Sequence, residues 1–243
     1  MREESRRFGK TSLAAEFPDP IIVEIERGVP TGVEIATFGE IDGYDQVLNA
    51  IKALYTGEHG FRTLILDTLD RLEPLVWAKA CADNNWPSIE APGYGKGYVA
   101  ADELWRKLLA GCNALRTKRG MTIVLVAHSS IERFDDPTNA PYSRYDIRLH
   151  KRANALVQDE VDAILFLNQD VAIQKEDVGF NKTARRAEGG GVRWIYTEGR
   201  PAFTAKNRFG LSPKLLFERG KGYAQLAPYL PGQPQSQTAK EAA

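Results

Sequence analysis

The chain is short of the features that announce several protein classes. Only two cysteines occur in 243 residues, Cys81 and Cys112. Two distant thiols build neither a four-cysteine zinc site nor a disulfide framework, so both are read as reduced. Net charge is absent, because 32 Lys and Arg balance 32 Asp and Glu. Affinity for nucleic acid must then come from a local patch rather than from the field of the whole molecule. Long apolar runs are missing as well. The longest, such as Thr122 to Ala127, are strand-sized, which excludes a bilayer-spanning helix. The opening residues, Met-Arg-Glu-Glu-Ser-Arg-Arg, hold no apolar segment of the kind that directs secretion. The expectation is a cytoplasmic protein with no membrane partner. No internal repeat is visible.

What is present is a globular composition, 43% hydrophobic and 26% charged, with length enough for one good core. Short β-rich runs alternate with longer helical stretches, the pattern of a mostly parallel sheet flanked by helices. A first helix is expected over Lys10 to Glu16 and a buried strand over Ile21 to Ile25. Val47, Ile51 and Leu54 repeat at helical spacing within Tyr44 to Thr56. Further strands are expected at Arg62 to Asp67 and Met121 to His128, and helices at Asp70 to Asn84 and Ala100 to Lys118, with a loop at Gly93 to Gly97 between them. Beyond this the chain becomes more β-like. A short strand is expected at Asp146 to His150, a helical turn at Lys151 to Val157 and a strand at Val161 to Asn168. Val171 to Val178 and Arg193 to Thr197 are expected to pair across a Gly/Lys/Arg-rich loop, and Ala202 to Ala205 to form an edge strand. Residues 1–219 make the core, and 220–243, rich in Pro, Gln and Ala, a polar disordered tail.

Four residues near the start carry the strongest chemical signal, Gly9-Lys10-Thr11-Ser12. They match the end of the phosphate-binding pattern G-x-x-x-x-G-K-[ST], in which the lysine reaches the β/γ-phosphates and the hydroxyl ligates Mg²⁺. The first glycine of that pattern falls on Glu4, and no apolar strand precedes it. Leu64-Ile65-Leu66-Asp67 has the form of a Walker B strand, an apolar run ending in a carboxylate that holds Mg²⁺ or its water. Glu26 follows the preceding strand, where a carboxylate can orient and deprotonate an attacking water, with Glu24 as the competing acid. His128 ends the third strand, in position to sense a γ-phosphate. Basic residues with interleaved aromatics, Arg144, Arg148, Lys151 and Arg152 beside Tyr142 and Tyr145, suit single-stranded nucleic acid. Lys182, Arg185 and Arg186, beside Gly189-Gly190-Gly191, do the same. Lys206 and Arg208, one residue apart on an extended segment, face one side.

The chain resembles phage-encoded RecA-like ATP-binding proteins of the AAA type, some of which act as single-strand annealing recombinases. The resemblance spans about residues 9 to 215. Beside the Walker elements it rests on Leu66-Asp67-Thr68-Leu69-Asp70, Gly93-Tyr94-Gly95-Lys96-Gly97-Tyr98, Val126-Ala127-His128-Ser129, Glu132 to Pro137, Leu149 to Arg152, Lys175 to Lys182 and Ala205 to Arg208.

The resemblance implies an α/β RecA-like P-loop NTPase core that takes ATP and Mg²⁺, assembles into a ring or filament and acts on single-stranded DNA. Gly9, Lys10, Thr11 and Ser12 match Walker A, Asp67 Walker B and Glu26 the catalytic glutamate. His128 matches the γ-phosphate sensor, with DNA contacts in the loop after it. Lys206 and Arg208 resemble a pair that completes a neighbouring subunit's site. Relatives carry an apolar strand and a glycine-rich turn where this chain has Arg2 to Phe8, so a core short of its first strand is expected. Two alternatives stay open: a DNA-binding or annealing module with a vestigial nucleotide site, and a helicase-loader or motor subunit.

Overall fold

The computed structural model describes residues 9–26, 32, 34–136, 140–177 and 183–231, with the backbone alone described over 170–177 and 183–190. The chain divides into two compact units, Ala14–Val161 and the combination of Met1–Leu13 with Asp162–Ala243. A short helix α1, Lys10–Ala14, carries the chain from the second unit into the first.

The unit Ala14–Val161 is built on a parallel sheet. Its strands are β1 (Pro20–Glu24), β2 (Ala36–Glu40), β3 (Thr63–Asp67) and β4 (Thr122–Val126), in the order β2-β1-β3-β4. β3 is buried at every position, which is why Thr-Leu-Ile-Leu-Asp reads as a continuous apolar run rather than an alternation. Its side chains still obey the period of two. Leu64 and Leu66 join the main core, while Ile65 joins a smaller cluster with Ala14, Ile22 and Val126 on the opposite face. The main core is completed by helices α2 (Tyr44–Thr56), α3 (Leu69–Asn84), α4 (Lys96–Arg119) and α5 (Lys151–Glu160), which contribute Val47, Leu72, Trp105 and Val157. Among the described residues β2 and β4 are the outer strands, and Ile123, Val124 and Leu125 of β4 are only partly buried.

α2 occupies the span that its periodicity predicts, with Val47, Ile51 and Leu54 buried. α4 starts four residues before its expected position, absorbing Lys96 and Gly97 from the supposed loop. The cause is local: a Cβ on Gly97 would lie 1.8 Å from the carbonyl oxygen of Ile89, so only glycine lets this helix end abut that segment. A hairpin of β5 (Ser129–Phe134) and β6 (Tyr142–Ile147) leaves the end of β4 and returns before α5. Sequence reading missed β5 and placed β6 late, because neither strand alternates apolar with polar residues. Cross-strand pairs hold it instead: Phe134 meets Tyr142, and Glu132 lies opposite Arg144.

The second unit is mostly antiparallel. β7 (Ala163–Ile164) pairs with β10 (Lys206–Asn207), and β8 (Phe166–Asp177), β9 (Thr183–Tyr196) and β11 (Lys214–Phe217) form a sheet in the order β11-β9-β8. Here three expectations are corrected. Gly189-Gly190-Gly191 lies within β9 rather than in a loop, beside a register shift between Gln169 and Val171, and strand glycines favour such irregularities. Residues 202–205 do not form an edge strand; Arg200 and Phe203 close a tight turn through reciprocal backbone bonds of 3.0 Å, and pairing resumes at Lys206. Within the supposed tail, Gly222–Leu226 form helix α6 with Leu226 buried; residues 232–243 lie outside the described ones. Among the described residues no helix is long and apolar enough to cross a membrane.

Candidate functional site at the carboxyl edge of the sheet

Parallel strands place their carboxyl ends at one edge, where open α/β sheets receive ligands. Here the register is level: Glu24 pairs with Asp67, and Asp67 with Val126. The residues just past each strand therefore meet. They are Glu26 after β1, Asp67 and Thr68 at the end of β3, Asp70 in the first turn of α3, and His128 after β4.

Backbone bonds hold this edge together. The amides of Ile25 and Glu26 both donate to the carbonyl of Asp67, at 2.8 and 3.0 Å. Asp67 and Thr68 are buried. The Thr68 hydroxyl donates to Oε2 of Glu26 at 3.1 Å, and the same Glu26 oxygen lies 3.7 Å from Nδ1 of His128.

Asp70 is the hub. Its carboxylate, 2% exposed, accepts the backbone N–H of His128 at 3.0 Å and ring Nδ1 at 3.1 Å, and it also receives the guanidinium of Arg148. A carboxylate only accepts, so His128 carries its proton on Nδ1 and leaves Nε2 for other work. Burial alone would raise the Asp70 pKa, but the bonds from His128 and Arg148 outweigh it and hold the group well below the usual carboxylate range. Glu73, one turn along α3, shifts the other way. Burial raises its pKa and the nearby Asp70 charge adds to this, against the lowering effect of the His150 amide, which donates to its oxygens at 2.9 and 3.1 Å. The His150 ring stacks on Tyr98 at 4.1 Å, and its own pKa is lowered by burial and by Lys151 and Arg152.

Glu26, Asp70 and His128 offer ligand atoms within 4.8 Å of one another, close enough to surround a cation. A cation there would face the Arg148 charge already seated on Asp70, so the trio is better described as a hydrogen-bond network.

The structure brings together Glu26, Asp67 and His128 of the expected site residues, and adds Thr68, Asp70 and Glu73. The missed signal was the second acid of Asp67-Thr68-Leu69-Asp70, which falls in the opening turn of a helix.

The expected nucleic-acid residues are largely engaged within the fold. Arg144 pairs with Asp146 at 3.3 Å and lies over the Phe134 ring at 4.2 Å. Arg148 is on Asp70, and Arg152 pairs with Asp102 at 2.6 Å. Lys151 is exposed. Lys182 and the side chains of Arg185 and Arg186 lie outside the described residues.

In the other unit, Gly9 precedes Lys10, Thr11 and Ser12 of α1 with a φ of +86°, and a Cβ there would lie 2.6 Å from the Phe217 ring. Both facts demand glycine. The helix closes with the Leu13 amide on the Gly9 carbonyl at 2.8 Å. It ends at Ala14, two residues before its expected limit. Lys206 lies in β10, while Arg208 is half-exposed and pairs with Asp162 at 3.2 Å.

No curated protein matches this chain. A family described as AAA domain matches residues 5–209, most of its length. Domains of this kind are P-loop NTPase-like and generally use ATP and Mg²⁺. With its parallel sheet and the acids gathered at that sheet's carboxyl edge, the chain belongs to the AAA domain family.

Proposed function

We propose that this protein binds and hydrolyses ATP and couples that reaction to single-stranded DNA, in the recombination or replication of a phage. The observation that carries the reading is the convergence of Glu26, Asp67 and His128 on the ends of three adjacent parallel strands. Lys10 and Thr11 are the lysine and hydroxyl of the phosphate-binding pattern, and Asp67 offers a carboxylate, a hard oxygen donor of the kind Mg²⁺ takes. Glu26 orients a water and accepts its proton as the oxygen attacks the γ-phosphorus and the bond to ADP breaks. Thr68 on Oε2 steers the Glu26 carboxylate. His128, held on Asp70 through Nδ1, stands beside Glu26 where the γ-phosphate would be sensed. Lys206 and Arg208 of a neighbouring copy in a ring or filament add positive charge as the transition state forms. Lys151, Lys182, Arg185 and Arg186 are the cations offered to DNA phosphates, since Arg144, Arg148 and Arg152 are paired with Asp146, Asp70 and Asp102.

Phosphate release with and without single-stranded DNA tests this reading. Glu26→Gln should lower kcat about 100-fold, the low end of general-base contributions, while leaving the binding of a fluorescent ATP analogue intact. A wild-type chain that binds the analogue but releases no phosphate would remove hydrolysis, and one that binds no nucleotide would remove the reading.

A further inference from the structure

We propose that Asp70 is the positioning residue of this site: one carboxylate latches both ends of the β5–β6 hairpin and sets the His128 ring between the sheet edge and that hairpin. β5 begins immediately after His128, and β6 ends immediately before Arg148. Both flanking residues reach the same Asp70 oxygens, although they stand 58 and 78 positions away in sequence. The Arg148 amide also donates to the His128 carbonyl at 2.9 Å and closes the root of the hairpin.

Asp70 is itself fixed, since it lies in the first turn of α3 between the buried Leu69 and Leu72. Beyond its root the hairpin pairs only with itself among the described residues, and Ile131 on β5 is 64% exposed. An isolated two-stranded ribbon is marginal in water. Its direction is therefore set where it joins the fold, by the latch, with help from Gln158 on Asp146 at 3.3 Å.

The arrangement has a consequence that rests on the nucleotide reading above. His128 Nδ1 lies between Asp70 and Glu26, at 3.1 and 3.7 Å. An anion arriving beside Glu26 competes with Asp70 for the Nδ1 proton of His128. Drawing that bond away loosens the hairpin at its β5 end, so nucleotide state reaches the hairpin through the Asp70 carboxylate.

Hydrogen exchange on the full chain tests the latch without nucleotide. In Asp70→Asn, peptides covering β5 and β6 should exchange at least about tenfold faster while those of β1 and β3 do not change, in keeping with local rather than global opening. In the same variant the ring ¹⁵N signals of His128 should shift and those of His59 and His150 should stay. Arg148→Met, which leaves the His128 bonds in place, should speed hairpin exchange with a smaller change at His128. It carries the test should Asp70→Asn not fold. Hairpin exchange unchanged in both variants, or acceleration spread evenly over the sheet, overturns the latch. Adding the ATP analogue should alter hairpin exchange in the wild type and not in Asp70→Asn. Analogue binding without that difference overturns the coupling. A wild type that binds no analogue refutes the nucleotide reading, and the coupling with it, leaving the latch to the nucleotide-free data.

Discussion

Asp70, whose side chain is nearly inaccessible, and the buried Glu73 are two acids one turn apart on α3, and the structure predicts opposite effects when each is made neutral. Asp70 accepts bonds from a ring, an amide and a guanidinium. In Asp70→Asn the amide oxygen can keep part of this set, but the new NH₂ faces a donor. Hydrogen bonds to charged groups are worth about 1.5–3 kcal/mol each, so losing one or two should cost about 2–4 kcal/mol. Among the described residues Glu73 is buried with no cation beside it, and its oxygens accept only the His150 amide. Gln keeps that acceptor and removes the charge, so Glu73→Gln should be neutral or stabilising by about 1 kcal/mol, as when buried charge is replaced by a neutral group of similar shape.

The signs with pH differ too. The folded Asp70 pKa is depressed, so its stabilisation is fully present above the ordinary carboxylate range and is lost only as pH falls through the folded value. The folded Glu73 pKa is raised, so its charged form weakens the fold at pH 7, and the penalty lifts as pH falls through that value. Urea unfolding of the wild type and both variants at pH 7.5 and pH 5 is the assay. The gap between wild type and Asp70→Asn should persist at pH 5, while that for Glu73→Gln should narrow. Because the Asp70 charge raises the Glu73 pKa, the double variant should depart from additivity. Destabilisation of the same size in both single variants would refute the assignment of these two environments.

Gly97→Ala sets helix propensity against space. Alanine gains about 1 kcal/mol inside a helix, but its Cβ would stand 1.8 Å from a backbone oxygen, and overpacking of this kind costs about 1–3 kcal/mol. A lower melting midpoint is expected, and a higher one would show that Ile89 gives way. Cys112 is buried, and its thiol is pushed up to about 12. Iodoacetamide at pH 8 should label the more accessible Cys81 and reach Cys112 only in denaturant, as read by mass spectrometry; equal labelling of both in the folded protein would contradict this burial.

Much of the sheet was legible because its signals are local. The apolar runs ending in Asp67 and His128 and the periodicity of α2 need only neighbours in sequence to declare themselves. Parallel pairing then carried Glu26, Asp67 and His128 to one edge, as their places at strand ends implied. The hairpin β5–β6 was not legible. Its strands carry polar residues on both faces, and their stabilising pairs, such as Phe134 with Tyr142, exist only once the register is set. The glycine run failed for a related reason, since a strand partner can hold residues whose own preference is a turn.

The sequence by itself determined the fold class, the helix facing the core through Val47, Ile51 and Leu54, and which acids stand at strand ends. Only the tertiary structure decided their partners. Asp70, rather than the strand-ending Asp67, holds His128, and Arg148 is spent on that same carboxylate instead of standing free. The physical reason is distance along the chain: a residue's period and propensity are written beside it, whereas the donor that neutralises a buried carboxylate is supplied by whichever distant segment the sheet and helices bring within about 3 Å of it.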